Sequence, residues 1–377
     1  MTPEQAAEKY HWIKYDKATN TVEMYLDNFM LSGSRICESM FYLEHLLWIQ
    51  PKYEIEGTPR TDGKFVRKPW FLDFGEYIHW CLDQFYKHQK LHSKAPEINE
   101  WLLACRVKWD AMKMDEYKNS VSSSDVNAYE AVKGWEGVAG LLAQYYAYYL
   151  DTRLRIIDTE IVFGHNKEVC IGKLDFDLDY RKYSYNPILQ NPMKIYCYLT
   201  GRIDLLVDNG NKIGPIDHKT TAKFDGFEHE DFNPHDGICG YILAVHEILN
   251  KYKEQGLTQI PECHGGWINH ISATIPSQPR DKTKQPGPRF KTTPIDKSNE
   301  QLEDYKARQL SSFKRIAELL FNNKSPEWNT TQCNSMFFRK CKFKTIHEQP
   351  SSEWAQIIQQ FYTIGNIWDT REYEDKK

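Results

Sequence analysis

Nowhere in the 377 residues is there a run of the roughly 18 consecutive apolar residues that a membrane-spanning helix needs. Internal repeats and long low-complexity tracts are missing too, so collagen-like, coiled-coil and wholly disordered chains are excluded. Charge of one sign is lacking: 48 Lys and Arg stand against 52 Asp and Glu, a formal net of −4. That excludes a histone-like or ribosomal polycation but leaves room for a local basic groove. Nine cysteines is an odd number, so a complete disulfide framework would leave one over. The opening MTPEQAAEKYHW lacks the basic-then-apolar pattern of a secretory signal. Reduced thiols, some of them ligands, and a cytoplasmic setting without a membrane partner are the expectation.

What is present is a chain with 41% hydrophobic and 14% aromatic residues, long enough for more than one small module. Helical spacing of apolar residues runs through Leu31–Leu47, Phe74–His88, Ala95–Met114 and Val126–Leu150. Residues 1–150 therefore read as a mainly helical subdomain. Beyond them the period changes to alternation in RIIDTEIVF, KIYCYLTGRIDLLVD and NKIGPIDHKTT, with helices expected near 236–253 and 299–321. Residues 151–325 read as an α/β core, and 326–377 as a Cys/His segment with a terminal amphipathic helix.

The most informative stretch is Gly201 to Thr221, GRIDLLVDNGNKIGPIDHKTT. Asn209-Gly210 marks a tight hairpin. Asp217 and Lys219 are two apart, so they share one face of the second strand. If Asp204 projects to that face from the first strand, two carboxylates and an amine converge. That grouping suits metal-assisted phosphodiester hydrolysis: hard oxygens hold Mg²⁺ or Mn²⁺, and the lysine orients or deprotonates the water and offsets negative charge. An isolated Asp-x-Lys is ordinarily a solvated hairpin, so the surrounding residues matter.

In context the block resembles the PD-(D/E)XK nuclease superfamily, and within it the RecB-like exonuclease branch. Gly201, Asp204, Asp217, Lys219 and Thr220 stand where that branch has Gly-x-x-Asp followed by Asp/Glu-x-Lys-Thr. Upstream, Gly75, His79, Leu82 and Asp83 match its Gly-x-x-x-His-x-x-Leu-Glu helix, with Asp in place of Glu. The resemblance implies a restriction-endonuclease-like α/β core, a mixed central sheet flanked by helices, with the helical subdomain in front. It implies metal ligation by His79, Asp204, Asp217 and the carbonyl of His218, and water activation by Lys219. The branch's Gln-x-x-x-Tyr reads Gly237-x-x-x-Tyr241 here: Tyr241 is kept and the glutamine is not. The implied activity is a divalent-metal-dependent DNA exonuclease acting on single strands or DNA ends, in repair, recombination or a phage life cycle (then in the host cytoplasm). A structure-specific endonuclease and a weak or inactive nuclease-fold DNA-binding scaffold are the alternatives; the missing glutamine motivates the latter.

Some members of that branch clamp their chain ends with a [4Fe–4S] cluster on one cysteine before the core and three after it. Here the corresponding positions are Cys37, Cys333, Cys341 and His347, a set that suits such a cluster or, alternatively, zinc. For DNA contact, Arg280, Lys282, Lys284, Arg289 and Lys291 fall in a Pro/Gly-containing segment with a single acid, Asp281. That segment reads either as a solvated loop or as an arm tracking the phosphate backbone. The run Tyr145–Tyr149 reads as packing rather than base stacking.

Overall fold

The computed structural model describes residues 1–51, 70–120, 122–150, 154–178, 192–210, 212–221, 236–256, 263–274, 289–327, 329 and 341–364. In chain order the elements are α1 (Pro3–Lys9), β1 (Ile13–Asp16), β2 (Thr21–Asp27), α2 (Asn28–Ile36), α3 (Glu38–Phe41) with a π-helical turn Tyr42–Leu46, and β3 (Ile49–Pro51). Four helices follow, α4 (Trp70–His92), α5 (Ile98–Ala111), α6 (Ser123–Val132) and α7 (Gly134–Tyr149). Next come β4 (Arg155–Phe163), β5 (Cys170–Phe176), β6 (Met193–Asp208), β7 (Ile213–Thr221), α8 (Asp236–Glu254), β8 (Gly265–Ser272) and β9 (Phe290–Asp296). The chain closes with α9 (Asn299–Phe321), α10 (Lys344–His347), α11 (Trp354–Phe361) and β10 (Tyr362–Ile364).

The architecture is α/β, with a mixed eight-stranded sheet flanked by helices, as expected of a restriction-endonuclease-like core. The chain divides into two compact units. The first comprises Met1–Ile55, Phe163–Gly201 and Glu300–Lys377; the second comprises Glu56–Val162 and Arg202–Asn299. None of the described helices is long and apolar enough to cross a membrane.

In the first unit β1 and β2 form an antiparallel hairpin, β2 runs parallel to the first half of β6, and β5 pairs antiparallel with it. The two strands in the first thirty residues depart from the mainly helical expectation for this region. β1 pairs with β2 alone, and β2 gains its second partner from β6, some 170 residues later in the chain. The helix expected over Leu31–Leu47 breaks at Cys37, which is extended at φ −158°. Just beyond the break the carboxylate of buried Glu38 binds Arg315 and accepts the Glu327 N–H at 2.9 Å. β3 pairs antiparallel with β10. Around that pair Leu43, Ile49, Cys341, Phe343, Ile346 and Tyr362 make an apolar cluster.

In the second unit β7 is antiparallel to the second half of β6 and parallel to β8, and β8 is antiparallel to β9. Helix α8 makes the crossover that a parallel pair requires. On α4 the buried residues Phe74, Tyr77, Ile78, Cys81, Leu82 and Phe85 follow helical spacing. They join Trp101, Trp109, Tyr117 and Tyr145 in the unit's core. The helix expected over Val126–Leu150 is divided between α6 and α7 by Lys133 and Gly134, both left-handed at φ +58° and +54°. A Cβ at Gly134 would also stand 2.5 Å from the Tyr129 hydroxyl, so only glycine suits this corner.

Candidate active site at the β6–β7 hairpin

The Asn209-Gly210 turn joins β6 to β7, with Gly210 at φ +88° and Lys212 N–H donating to Asn209 Oδ1 at 3.0 Å. The rungs below it pair Asp208 with Ile213 and Leu205 with Ile216. One step further Asp204 comes level with Asp217, and residues directly opposite in an antiparallel pair share a face. Lys219, two residues on, reaches Asp217 Oδ1 with its Nζ at 2.9 Å. The backbone N–H of His218 donates to Asp204 Oδ2 at 2.8 Å.

His79 enters from α4. Its Nδ1 lies 3.4 Å from Asp204 Oδ1. One turn later buried Asp83 accepts from Thr159 Oγ1 at 2.7 Å and pairs with Lys87 at 2.7 Å. Thr159 is on β4, and the next residue, Glu160, has φ +50°. The Glu160 carboxylate meets Arg202 Nε at 2.8 Å. Since Arg155 meets Asp208 while Glu160 meets Arg202, β4 runs antiparallel to β6.

One ligand atom each from His79, Glu160 and Asp204 lie within 4.8 Å of one another. An imidazole nitrogen and two carboxylate oxygens suit a divalent cation such as Mg²⁺ or Mn²⁺. His79 and Asp204 were expected ligands; Glu160 was not, because nothing in RIIDTEIVF distinguishes it from a solvated strand acid. Asp217 stands beside this trio with its carboxylate on Lys219.

The charges bear on one another strongly. Burial disfavours a charged His79 ring, but Asp204 and Asp217 lift its pKa above the ordinary value. Burial also opposes ionised Asp204, yet His79 and Lys219 hold its carboxyl below the usual carboxylate range. Asp217 is pushed up to about 6, first by burial, with Lys219 opposing and Asp204 adding. Lys219 is raised despite its burial because two carboxylates face it, so it stays an ammonium. Glu160 is raised by burial against the pull of Arg202, with Asp204 and Asp83 adding. Clustering of perturbed groups in this way marks functional sites.

Behind the hairpin lies a buried polar network that the spacing of residues did not show. Tyr149 donates to Asn269 Oδ1 at 2.7 Å, and Asn269 Nδ2 bonds Tyr145 and His218 Nδ1, each at 3.0 Å. Tyr86 bonds Tyr145 at 2.7 Å and stacks on the His218 ring. Tyr145 and Tyr149 are thus packing residues, as read from their spacing.

The remaining expected site residues lie on other segments. Tyr241 is half-buried on α8. Arg289 donates to the carbonyls of Ser272 and Ala273, at 3.4 and 3.2 Å, and to Gln144 at 3.4 Å. Lys291 is half-buried on β9, and Arg280, Lys282 and Lys284 lie outside the described residues. In the first unit Cys37 and Cys341 are buried and His347 ends α10; Cys333 lies outside the described residues.

Residues 31–346 match the family model of the PD-(D/E)XK nuclease superfamily. No curated protein matches the chain in sequence. Among solved structures, the crystal structure of SSO0001 aligns over 71% of this chain and 95% of that one, at 14% identity and a TM-score of 0.20. A likeness that faint informs neither fold nor function.

Proposed function

Since the chain belongs to the PD-(D/E)XK nuclease superfamily, we propose that it is a divalent-metal-dependent DNA exonuclease of RecB-like type, hydrolysing phosphodiester bonds at single strands or DNA ends in the cytoplasm. The observation that carries this reading is the convergence of His79, Glu160 and Asp204 beside the Asp217–Lys219 pair. A structural ion pair on a solvated hairpin has no need of an imidazole and three carboxylates at one place.

His79, Glu160 and Asp204 would hold the ion, with Asp217 and the His218 carbonyl next to them. When bound, the ion supplies positive charge that polarises a phosphate and acidifies water. The chain's own residues do the rest. Lys219, an ammonium held by Asp217, donates to the attacking water and to the phosphate oxygen where charge builds, which suits orientation and charge stabilisation better than proton abstraction. Asp217, next to the ion and 2.9 Å from the Lys219 ammonium, keeps that ammonium in place. The His218 N–H fixes one Asp204 oxygen and so aims the other.

Assaying end-labelled linear DNA and covalently closed circles with Mn²⁺ tests the reading. The wild type is expected to degrade linear single strands and spare circles. Asp217→Ala and Lys219→Ala should lose about 10²–10⁴-fold in rate. Cutting of circles would make the chain an endonuclease. DNA bound but left whole in every form would make it a scaffold.

The chain ends support a second element of the reading. We infer that Cys37, Cys333, Cys341 and His347 take a [4Fe–4S] cluster or zinc, because β3–β10 pairing and the Cys341 cluster already bring the flanking segments of both ends together. Iron, acid-labile sulfide and zinc in anaerobically purified protein decide between the two. Absence of all three removes the site.

A further inference from the structure

Hydrolysis as outlined leaves one cation at the site without a task. Arg202 lies two residues before Asp204 on β6, with its side chain 51% exposed, and its Nε is 2.8 Å from the Glu160 carboxylate. That same carboxylate lies within 4.8 Å of the ligand atoms of His79 and Asp204. It therefore has two competing positive partners, a guanidinium and a divalent ion.

Glu160 is held at this branch point with some strain. A β-strand residue other than glycine rarely adopts φ +50°. Strained backbone of this kind persists where surrounding contacts over-determine it, and it gathers at functional sites. Here the contact is the buried Thr159–Asp83 hydrogen bond at 2.7 Å, from the same helix that carries His79. The strand is thus pinned one residue away, while the carboxylate is left to choose.

We propose that Glu160 and Arg202 form a metal-released latch: a divalent ion draws the Glu160 carboxylate to itself and frees the Arg202 guanidinium at the rim of the site to grip a phosphate of the DNA backbone. This rests on the metal-nuclease reading above. An ion pair half open to water is weak, so a divalent cation with oxygen ligands displaces it readily. The released guanidinium has the planar fork that matches a phosphate. The DNA would then be gripped fully only after the metal is loaded, which orders the two binding events.

The test uses the full-length protein and separates metal from DNA. Mn²⁺ alone is titrated calorimetrically, and a fluorescent single strand is titrated by anisotropy, once in EDTA and once in Ca²⁺ as a slow-turnover ion. The variants are Glu160→Gln, Arg202→Gln, Arg202→Lys and the double Gln variant, each checked for a wild-type circular dichroism spectrum. Glu160→Gln is expected to lose about tenfold in Mn²⁺ affinity and to bind DNA in EDTA more tightly than wild type, because Arg202 is already free. Arg202→Gln should keep or improve Mn²⁺ affinity yet lose most of the gain in DNA affinity that metal brings, and Arg202→Lys should recover part of it. In the double variant the EDTA gain should vanish. If that gain persists, removal of a negative charge explains it and the latch is wrong. The latch is equally overturned if Arg202→Gln weakens Mn²⁺ binding as much as Glu160→Gln, since Arg202 then only orients a ligand. Failure of the wild type to bind Mn²⁺ at all would instead overturn the metal-centre reading, and the latch with it.

Discussion

His218 shows how one side chain ties the hairpin to the core behind it. Asn269 gives its oxygen to Tyr149, so its Nδ2 is the donor to His218 Nδ1, and the imidazole must be neutral. Burial accordingly depresses its pKa to about 3, from an ordinary 6.5. The sign follows from proton counting: below pH 6.5 the unfolded chain takes up a proton that the folded one refuses, so stability falls with pH through this window. The loss is about 1.4 kcal/mol per pH unit from this residue alone. Urea unfolding between neutral pH and pH 4.5 should be markedly flatter for His218→Gln, which keeps an acceptor for Asn269 and does not titrate. Equal slopes would mean that the ring is hydrated and charged in acid.

At the scale of elements the site depends on α4 holding two strands at once. His79 reaches Asp204 on β6, and Asp83, on the same helical face one turn later, reaches Thr159 on β4. Thr159→Val keeps the shape but leaves one buried Asp83 oxygen short of its donor. About 1–3 kcal/mol of stability should be lost. Because the neighbouring Glu160 loses its anchor, Mn²⁺ affinity should fall as well, by up to the roughly tenfold expected of Glu160→Gln. A stability loss with unchanged Mn²⁺ affinity in calorimetry would make the Asp83–Thr159 bond purely structural. β6 shows the complementary case in the first unit, where Gly201 is required because a Cβ would stand 2.7 Å from the Phe163 ring.

For the whole molecule, the candidate catalytic residues all belong to the second unit, whereas the joined chain ends belong to the first. Phe343, fully buried among Leu43, Ile346 and Tyr362, provides a handle on the latter. Phe343→Ala should cost about 3–5 kcal/mol and expose the β3–β10 segments to hydrogen exchange without altering Mn²⁺ affinity. In the wild type, Mn²⁺ at 100 times its dissociation constant should add about 2.7 kcal/mol, with protection rising in α4, β6 and β7. Protection that rises first in β3 and β10 would place the metal in the other unit.

The sequence by itself determined the reactive hairpin. Asn209-Gly210 sets the turn, strand period 2 puts Asp217 and Lys219 on one face, and the antiparallel register carries Asp204 across to them. All of that is short-range geometry, legible in twenty residues. The α4 stripe was legible for the same reason: its apolar residues recur at helical spacing, and His79 falls beside them. The break at Cys37, the pairing of β2 with β6 and the network through Asn269 were not, since each answers to partners far away in the chain; nor was the Lys133 corner, which turns on the close approach of Gly134 to the Tyr129 ring. Glu160 is the sharpest case. In sequence it is one strand acid among many, and it became a candidate ligand only where Thr159 is pinned to Asp83 and β4 lies beside β6. A ligand's residue type is local, but its distance from the other ligands is set by the packing of elements some eighty residues apart, and only the tertiary structure decides that.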